Sequence, residues 1–77
     1  MKSGDIASGR LLFQRLANAG IADAALALAA TYDPRYLAQH SLIGVVGDET
    51  MARSWYQRAS ELGSVEAGRI LARTDAD

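Results

Sequence analysis

Apolar residues recur at helical spacing along the chain, and a glycine interrupts them at a regular place. The first such stretch covers residues 5–19, followed by Gly20, and a second covers residues 21–32. Glycine adopts the left-handed backbone conformation without steric cost, so it ends helices well. The connection is too short for anything except an antiparallel helix pair. The pattern therefore predicts a helix, a tight turn and a second helix.

The same pattern returns in the second half of the chain. Residues 51–62 and 64–73 predict another helix pair around Gly63, with Asp48 or Thr50 as the cap of its first helix. The two halves match at a shift of 43 positions, which places Arg10 on Arg53 and Gly20 on Gly63. Because such a period is typical of stacked units, we expect an all-α solenoid of two antiparallel helix hairpins, with repeat one at about 5–47 and repeat two at about 48–77.

The segment between the hairpins is predicted to be a short helical connector followed by a loop. Asp33 precedes Pro34, which is the order expected of a helix cap and the first helical residue, so residues 34–40 are expected to form one or two helical turns. Residues 42–46 are mostly apolar and are predicted to fold back onto the hairpins. A strand is disfavoured there because nothing else in the chain could pair with it.

Small, aromatic, glycine and leucine positions follow one another in a fixed order in the second repeat: Ala52, Trp55, Tyr56, Ala59, Gly63, Ala67, Leu71 and Ala72. In this order the second repeat resembles the Sel1-like repeat, a relative of the tetratricopeptide repeat. In the first repeat Gly9 and Leu16 replace two of the alanines. The connector also looks like this family at Gly44, Val45 and Asp48, although residues 33–39 lengthen it. The resemblance implies an α-solenoid scaffold for protein contacts, often bacterial and often part of a longer chain, without catalytic residues.

Composition and charge argue against several classes of function. The 77 residues include eight basic and nine acidic side chains, and this balance argues against a nucleic-acid partner. The chain has no cysteine, which excludes disulfides and thiolate metal sites and leaves the compartment undetermined. No apolar run is long enough for a signal peptide or a membrane span, so we expect a soluble chain without membrane insertion. Its start close to the first repeat is also consistent with a piece cut from a longer protein.

The side chains that could carry chemistry are few. His40 is the single histidine, and a metal site or acid–base centre would need partners at defined spacing. Asp48 and Glu49 are better explained as acids at a helix N-terminus. Of the adjacent aromatics Trp55 and Tyr56, one is expected in the core and the other beside it. The sequence therefore predicts no enzyme activity, no cofactor and no metal.

Four repeated polar residues are the candidates for contact with a partner. Arg10 and Gln14 lie four positions apart on the first helix, and Arg53 and Gln57 repeat this spacing on the matching helix. They predict a polar ladder that binds a protein or peptide, because arginine offers a planar set of donors. The alternative is that these residues are solvated helix formers.

Two functions follow from these patterns. The first is a protein–protein interaction scaffold with a partner of unknown identity. The second is self-association into a homo-oligomer, because two repeats fall short of the roughly three that usually bury a continuous core. The helix at 64–73 is the suspected end face, although Glu66, Arg69 and Arg73 make part of it polar.

Overall fold

The chain is all-helical in the computed structural model, which describes residues 5–40 and 45–76. This confirms the all-α prediction. Five helices follow one another in these two ranges: α1 (Asp5–Asn18), α2 (Ala22–Tyr32), α3 (Pro34–Gln39), α4 (Glu49–Glu61) and α5 (Val65–Ala76). The fourth helix begins two residues earlier than the sequence pattern predicts, and the fifth continues three residues further.

The turn after α1 and the turn after α4 have the same hydrogen bonds. After α1, the Gly20 amide donates to the Ala17 carbonyl and the Ile21 amide donates to the Leu16 carbonyl. After α4, Gly63 donates to Ser60 and Ser64 donates to Ala59. Gly20 and Gly63 have φ values of 94° and 112°, where a residue with a Cβ is strained. The predicted glycine turns are confirmed, and both are Schellman motifs.

Side chains just before three helices satisfy backbone amides that the first helical turn leaves unpaired. Asp33 Oδ1 accepts from the Arg35 amide, and Pro34 is the first residue of α3. Asp48 Oδ1 accepts from the Met51 amide, and Ser64 Oγ accepts from the Ala67 amide. The predicted connector helix is confirmed, and Asp48 rather than Thr50 caps α4.

The helices of each pair run in opposite directions. Arg10, near the start of α1, bonds Thr31, near the end of α2. Arg53, near the start of α4, lines a cavity with Thr74, near the end of α5. Helix α2 has its most extensive contacts with α4, so the two pairs meet along these two helices.

Small side chains fill the space between the helices. The buried cluster contains Tyr56 and seven alanines: Ala17, Ala24, Ala25, Ala29, Ala52, Ala59 and Ala67. Leu28 is also buried, and Trp55 is half-buried against the cluster. Because the distance between helix axes depends on the contacting side chains, an alanine seam lets α2 and α4 approach closely. The prediction of one core aromatic and one flanking aromatic is confirmed.

The segment before α4 differs from the predicted apolar loop. Residues 41–44 of that loop lie outside the described residues. The Val46 side chain is 79% exposed, so the prediction that it packs onto the hairpins is wrong. Its backbone is held instead: the Val46 carbonyl accepts from Arg10, and the Asp48 amide donates to the Tyr32 carbonyl over 2.7 Å. Polar backbone contacts hold this segment, and of its two valines Val45 is half-buried.

Candidate functional site

A groove lies between the connector helix and the last helix, with α4 beneath it. We call it the α3–α5 groove. Its main cavity has a volume of about 580 Å³, and a smaller cavity of about 30 Å³ adjoins it at the start of α4. Asp33, Arg35, Tyr56 and Thr74 line both cavities, so the two form one continuous surface.

Each helix contributes a different chemistry to the α3–α5 groove. Helix α3 provides Tyr36 and Gln39, and α5 provides Ile70 and Arg73. The lining carries three basic and three acidic side chains: Arg35, Arg53, Arg73, Asp33, Glu49 and Glu66. The groove thus combines an aromatic ring, a side-chain amide, an apolar side chain and charged side chains of both signs. Such a mixture can contact a polypeptide backbone and side chains of either charge. It offers no cluster of one charge for a polyanion.

Tyr56 and Asp33 join the two hairpins at the floor of this groove. The Tyr56 hydroxyl donates to Asp33 Oδ2 over 2.7 Å, while the other carboxylate oxygen caps α3. The Tyr56 ring is buried in the core cluster. Burial and, after it, the hydrogen bond to Asp33 raise the pKa of Tyr56 well above its ordinary value. The hydroxyl therefore stays a hydrogen-bond donor across the neutral pH range.

Arg10 holds the backbone that precedes α4 against the first hairpin. Its Nε donates to Thr31 Oγ1 over 3.1 Å, and its Nη2 donates to the carbonyls of Thr31 and of Val46. The guanidinium lies 4.0 Å from the centre of the Tyr32 ring, within the range of a cation–π interaction. Gly47 lies so near Pro34 and the Tyr32 carbonyl that a Cβ there would be 3.1–3.2 Å from their atoms.

The four residues of the predicted polar ladder do not share one environment. Gln14, Arg53 and Gln57 are exposed, whereas Arg10 is half-buried and makes the contacts described above. Sequence reasoning missed the structural role of Arg10. The one signal in the sequence was that an arginine and a threonine recur at matching positions, Arg10 with Thr31 and Arg53 with Thr74, which does not by itself show a contact. Arg53 lines the α3–α5 groove with Thr74. Partner binding by these residues stays a prediction.

The single histidine lies at the end of α3 and is exposed. Its ring packs at a tilt against the ring of Tyr36, with 4.2 Å between centroids. Asp48 caps α4, and Glu49 is in the first turn of that helix, as the sequence predicts. Across residues 5–40 and 45–76, no group of three histidine or acidic side chains is placed to hold a metal ion.

The exposed apolar side chains are unevenly distributed over the two end helices. On α1, Leu11 and Leu12 are 52% and 54% exposed, next to each other in the chain. On α5, Val65 is exposed among Glu66, Arg69 and Arg73, which are exposed as well. The larger apolar end surface thus lies on α1, whereas the sequence pattern pointed to α5.

None of the five described helices has the length and apolar character needed to cross a membrane. The chain matches no protein-family model, no curated protein and no solved structure.

Proposed function

We propose that this chain is a short α-solenoid of two Sel1-like hairpins whose function is to bind a polypeptide segment in the α3–α5 groove, without catalysis. The repeated turns at Gly20 and Gly63 and the repeated helix pairs support the solenoid. The resemblance of residues 52–72 to the Sel1-like repeat supports the family.

The groove is the observation that carries the binding proposal. Its main cavity of about 580 Å³ falls within the roughly 300–1,000 Å³ typical of small-molecule and cofactor sites, which shows that the groove has room for side chains of a partner. One wall is α3, the segment by which the connector is longer than the Sel1-like pattern. Because α3 lies opposite α5, the side of the hairpin stack has two walls and forms a groove.

Exposed aromatic and arginine side chains lie where a partner would contact them. Tyr36 and Arg73 line opposite walls, on α3 and α5. Tyrosine and arginine are the residue types that most often dominate binding energy at interfaces, because each combines a large apolar area with polar donors. Arg53 lines the smaller adjoining cavity, whereas Gln57 lines neither cavity of the groove. Of the predicted ladder, Arg53 is therefore the residue placed to assist.

A peptide-display selection tests this function. The chain is immobilised and panned against a library of random linear peptides, and enriched peptides are measured by fluorescence anisotropy. We expect Tyr36→Ala and Arg73→Ala each to weaken binding at least about tenfold, as hot-spot truncations do. Arg15→Ala is the matched control, since Arg15 is exposed on α1, away from the groove. Failure to enrich any peptide, or equal binding by all variants, would contradict the proposal.

A second candidate function is self-association through α1, and the exposure of Leu11 and Leu12 favours it. At the shift of 43 positions Leu12 corresponds to Trp55, which packs against the core cluster. Leu12 has the matching place on α1 and is more than half exposed. A helix from another copy would cover Leu12 as the core cluster covers Trp55.

The mass of the chain in solution tests whether it self-associates. Light scattering after size-exclusion chromatography should show a mass that rises with concentration above 8.2 kDa. Leu12→Glu should return the chain to a monomer, because it places a charge in the proposed contact. Gln14→Glu changes the charge equally on the same helix and should leave the mass unchanged. A monomer at every concentration contradicts self-association.

A further inference from the structure

The direction of α3 relative to α2 depends on one residue. Helix α2 ends at Tyr32 and α3 begins at Pro34, so Asp33 alone joins the two helices. The Asp33 amide donates to the Ala30 carbonyl of α2, and the Asp33 carbonyl accepts from the Leu37 amide of α3. The backbone of Asp33 is extended, with φ −73° and ψ 114°, as the residue before a proline usually is. Asp33 is therefore the joint between the first hairpin and one wall of the α3–α5 groove.

Two contacts fix the angle at this joint. The Asp33 carboxylate accepts from the Tyr56 hydroxyl over 2.7 Å, which ties the joint to α4 in the second hairpin. Further along the helix, the Leu37 side chain is buried, whereas Tyr36 and Gln39 are exposed. Helix α3 has its main contacts with α2. Leu37 thus holds α3 onto the first hairpin, and the Tyr56 hydrogen bond sets its position relative to the second.

A small change of backbone angle at Asp33 has a large effect across the groove. The six residues of α3 extend over about 9 Å, at about 1.5 Å per residue. Backbone torsions vary by about 15–20° within regular structure, and a rotation of about 20° at Asp33 would move the far end of α3 by about 3 Å. Gln39, which lines the main cavity, lies at that end. A hydrogen bond from this wall to a partner would not survive such a displacement, because these bonds weaken beyond about 3.2 Å.

From this geometry we infer that Tyr56 and Asp33 are positioning residues, whose hydrogen bond sets the distance between α3 and α5 and so the width of the α3–α5 groove. When the bond is lost, Leu37 keeps α3 attached, so the helix tilts and does not unfold. The consequence for binding rests on the proposed function. A wall that is fixed before a partner arrives loses less conformational entropy on binding, and a fixed width therefore favours affinity.

Spin labels measure the width of the groove without a partner. The sequence contains no cysteine, so Ala38→Cys on α3 and Ala72→Cys on α5 provide two labelling sites without background. Both alanines are exposed, and neither lines the main cavity. Pulsed electron–electron double resonance then gives the distribution of distances between the two nitroxides. We expect Tyr56→Phe to shift or broaden this distribution by about 2–3 Å, as a tilt of α3 requires.

A second variant separates the hydrogen bond from the helix cap. Asp33→Ser keeps a good capping residue, but the serine oxygen lies nearer the backbone and does not reach the Tyr56 hydroxyl. Asp33→Ser should change the distances as Tyr56→Phe does, and the double variant should change them no further, because both substitutions remove the same bond. Tyr32→Phe is the matched control, since it removes a tyrosine hydroxyl beside the joint and should leave the distances unchanged. Circular dichroism shows that each variant keeps its helices.

The outcomes separate this inference from the proposed function. Unchanged distances in Tyr56→Phe and Asp33→Ser would overturn the inference, and so would an equal change in Tyr32→Phe. Peptides selected for the groove should bind Tyr56→Phe about three- to tenfold more weakly, which is the loss expected for one hydrogen bond. If the distances change and no library peptide binds the chain, the positioning role is supported and the proposed function fails.

Discussion

The Tyr56 hydroxyl lies 2.7 Å from Asp33 Oδ2 and donates a hydrogen bond to it, which links α4 to the start of α3. Because Asp33 also caps α3, a single carboxylate fixes both the beginning of the connector helix and its distance from the second hairpin. The wall and the floor of the α3–α5 groove therefore depend on one pair of side chains. In repeat one the residue matching Tyr56 is Phe13, which has no hydroxyl.

Tyr56→Phe should lower the free energy of unfolding by about 1–2 kcal/mol, because it removes one hydrogen bond to a carboxylate while keeping the buried ring. Chemical denaturation at pH 7 measures this loss. Phe13→Tyr, combined with Tyr56→Phe, is the control. It adds a hydroxyl at the matching position of repeat one and should not restore the stability that Tyr56→Phe loses.

The hydrogen bond between Tyr56 and Asp33 should also make the free energy of unfolding fall at alkaline pH. The pKa of Tyr56 is raised in the folded chain, so the fold binds this proton more tightly than the unfolded chain does. The stabilisation is complete below the unfolded tyrosine pKa of about 10 and is lost as the pH rises above it. Unfolding titrations between pH 8 and pH 11 should show a smaller loss in Tyr56→Phe than in the unaltered chain. Equal slopes would mean that Tyr56 ionises normally.

Arg10→Met should destabilise the chain by about 2–3 kcal/mol, because it removes charge-assisted hydrogen bonds to Thr31 and Val46 and a cation–π contact with Tyr32. Arg15→Met, at an exposed position of the same helix, should change stability by less than about 0.5 kcal/mol. Thermal and urea unfolding of both variants make the comparison. Similar values for the two would show that the Arg10 contacts add no net stability.

Substitution of glycine by alanine should destabilise the chain at the two turns and stabilise it within α1. Gly20→Ala and Gly63→Ala should each cost about 1–2 kcal/mol, since both residues have positive φ. Gly9→Ala should stabilise the chain by about 0.5–1 kcal/mol, because Gly9 lies within α1 and a Cβ there meets nothing within 4 Å. Melting temperatures of the three variants test this ordering. A stabilising Gly20→Ala would overturn the turn assignment.

The alanine seam between α2 and α4 should tolerate no larger side chain. Ala29→Leu is expected to cost about 1–3 kcal/mol, since Ala29 is fully buried between the hairpins. Ala72→Leu places the same side chain at the matching but exposed position of α5 and should be nearly neutral. Unfolding by urea compares the two. Equal tolerance would indicate that the hairpins do not pack closely along α2.

Sequence periodicity and turn chemistry predicted most of the fold. Gly20, Gly63, Asp33 and Asp48 act through local backbone geometry, which the neighbouring residues determine, so their roles could be derived without coordinates. The contacts of Arg10 could not, because they depend on Thr31 and Val46, which are distant in the chain. The groove also escaped prediction, since it arises from the placement of α3 relative to α5, and no local pattern encodes that distance.

The predicted polar ladder missed the contacts of Arg10 for the same physical reason. The spacing of Arg10 and Gln14 is the same as that of Arg53 and Gln57, and spacing alone places both pairs on a helix face. Spacing does not show which side chains meet a distant part of the backbone: Arg10 donates to the Val46 carbonyl, 36 positions along the chain.

Amide chemical-shift mapping tests most directly whether the α3–α5 groove is the binding surface. A ¹⁵N-labelled sample of the full chain is titrated with a peptide enriched in the display selection, and the shifted amides are assigned. If the groove binds the peptide, the largest changes occur at its lining residues: Tyr36, Arg53, Tyr56, Arg73 and Thr74. Changes concentrated at Leu11 and Leu12, or a bound peptide that leaves the groove amides unshifted, would contradict it.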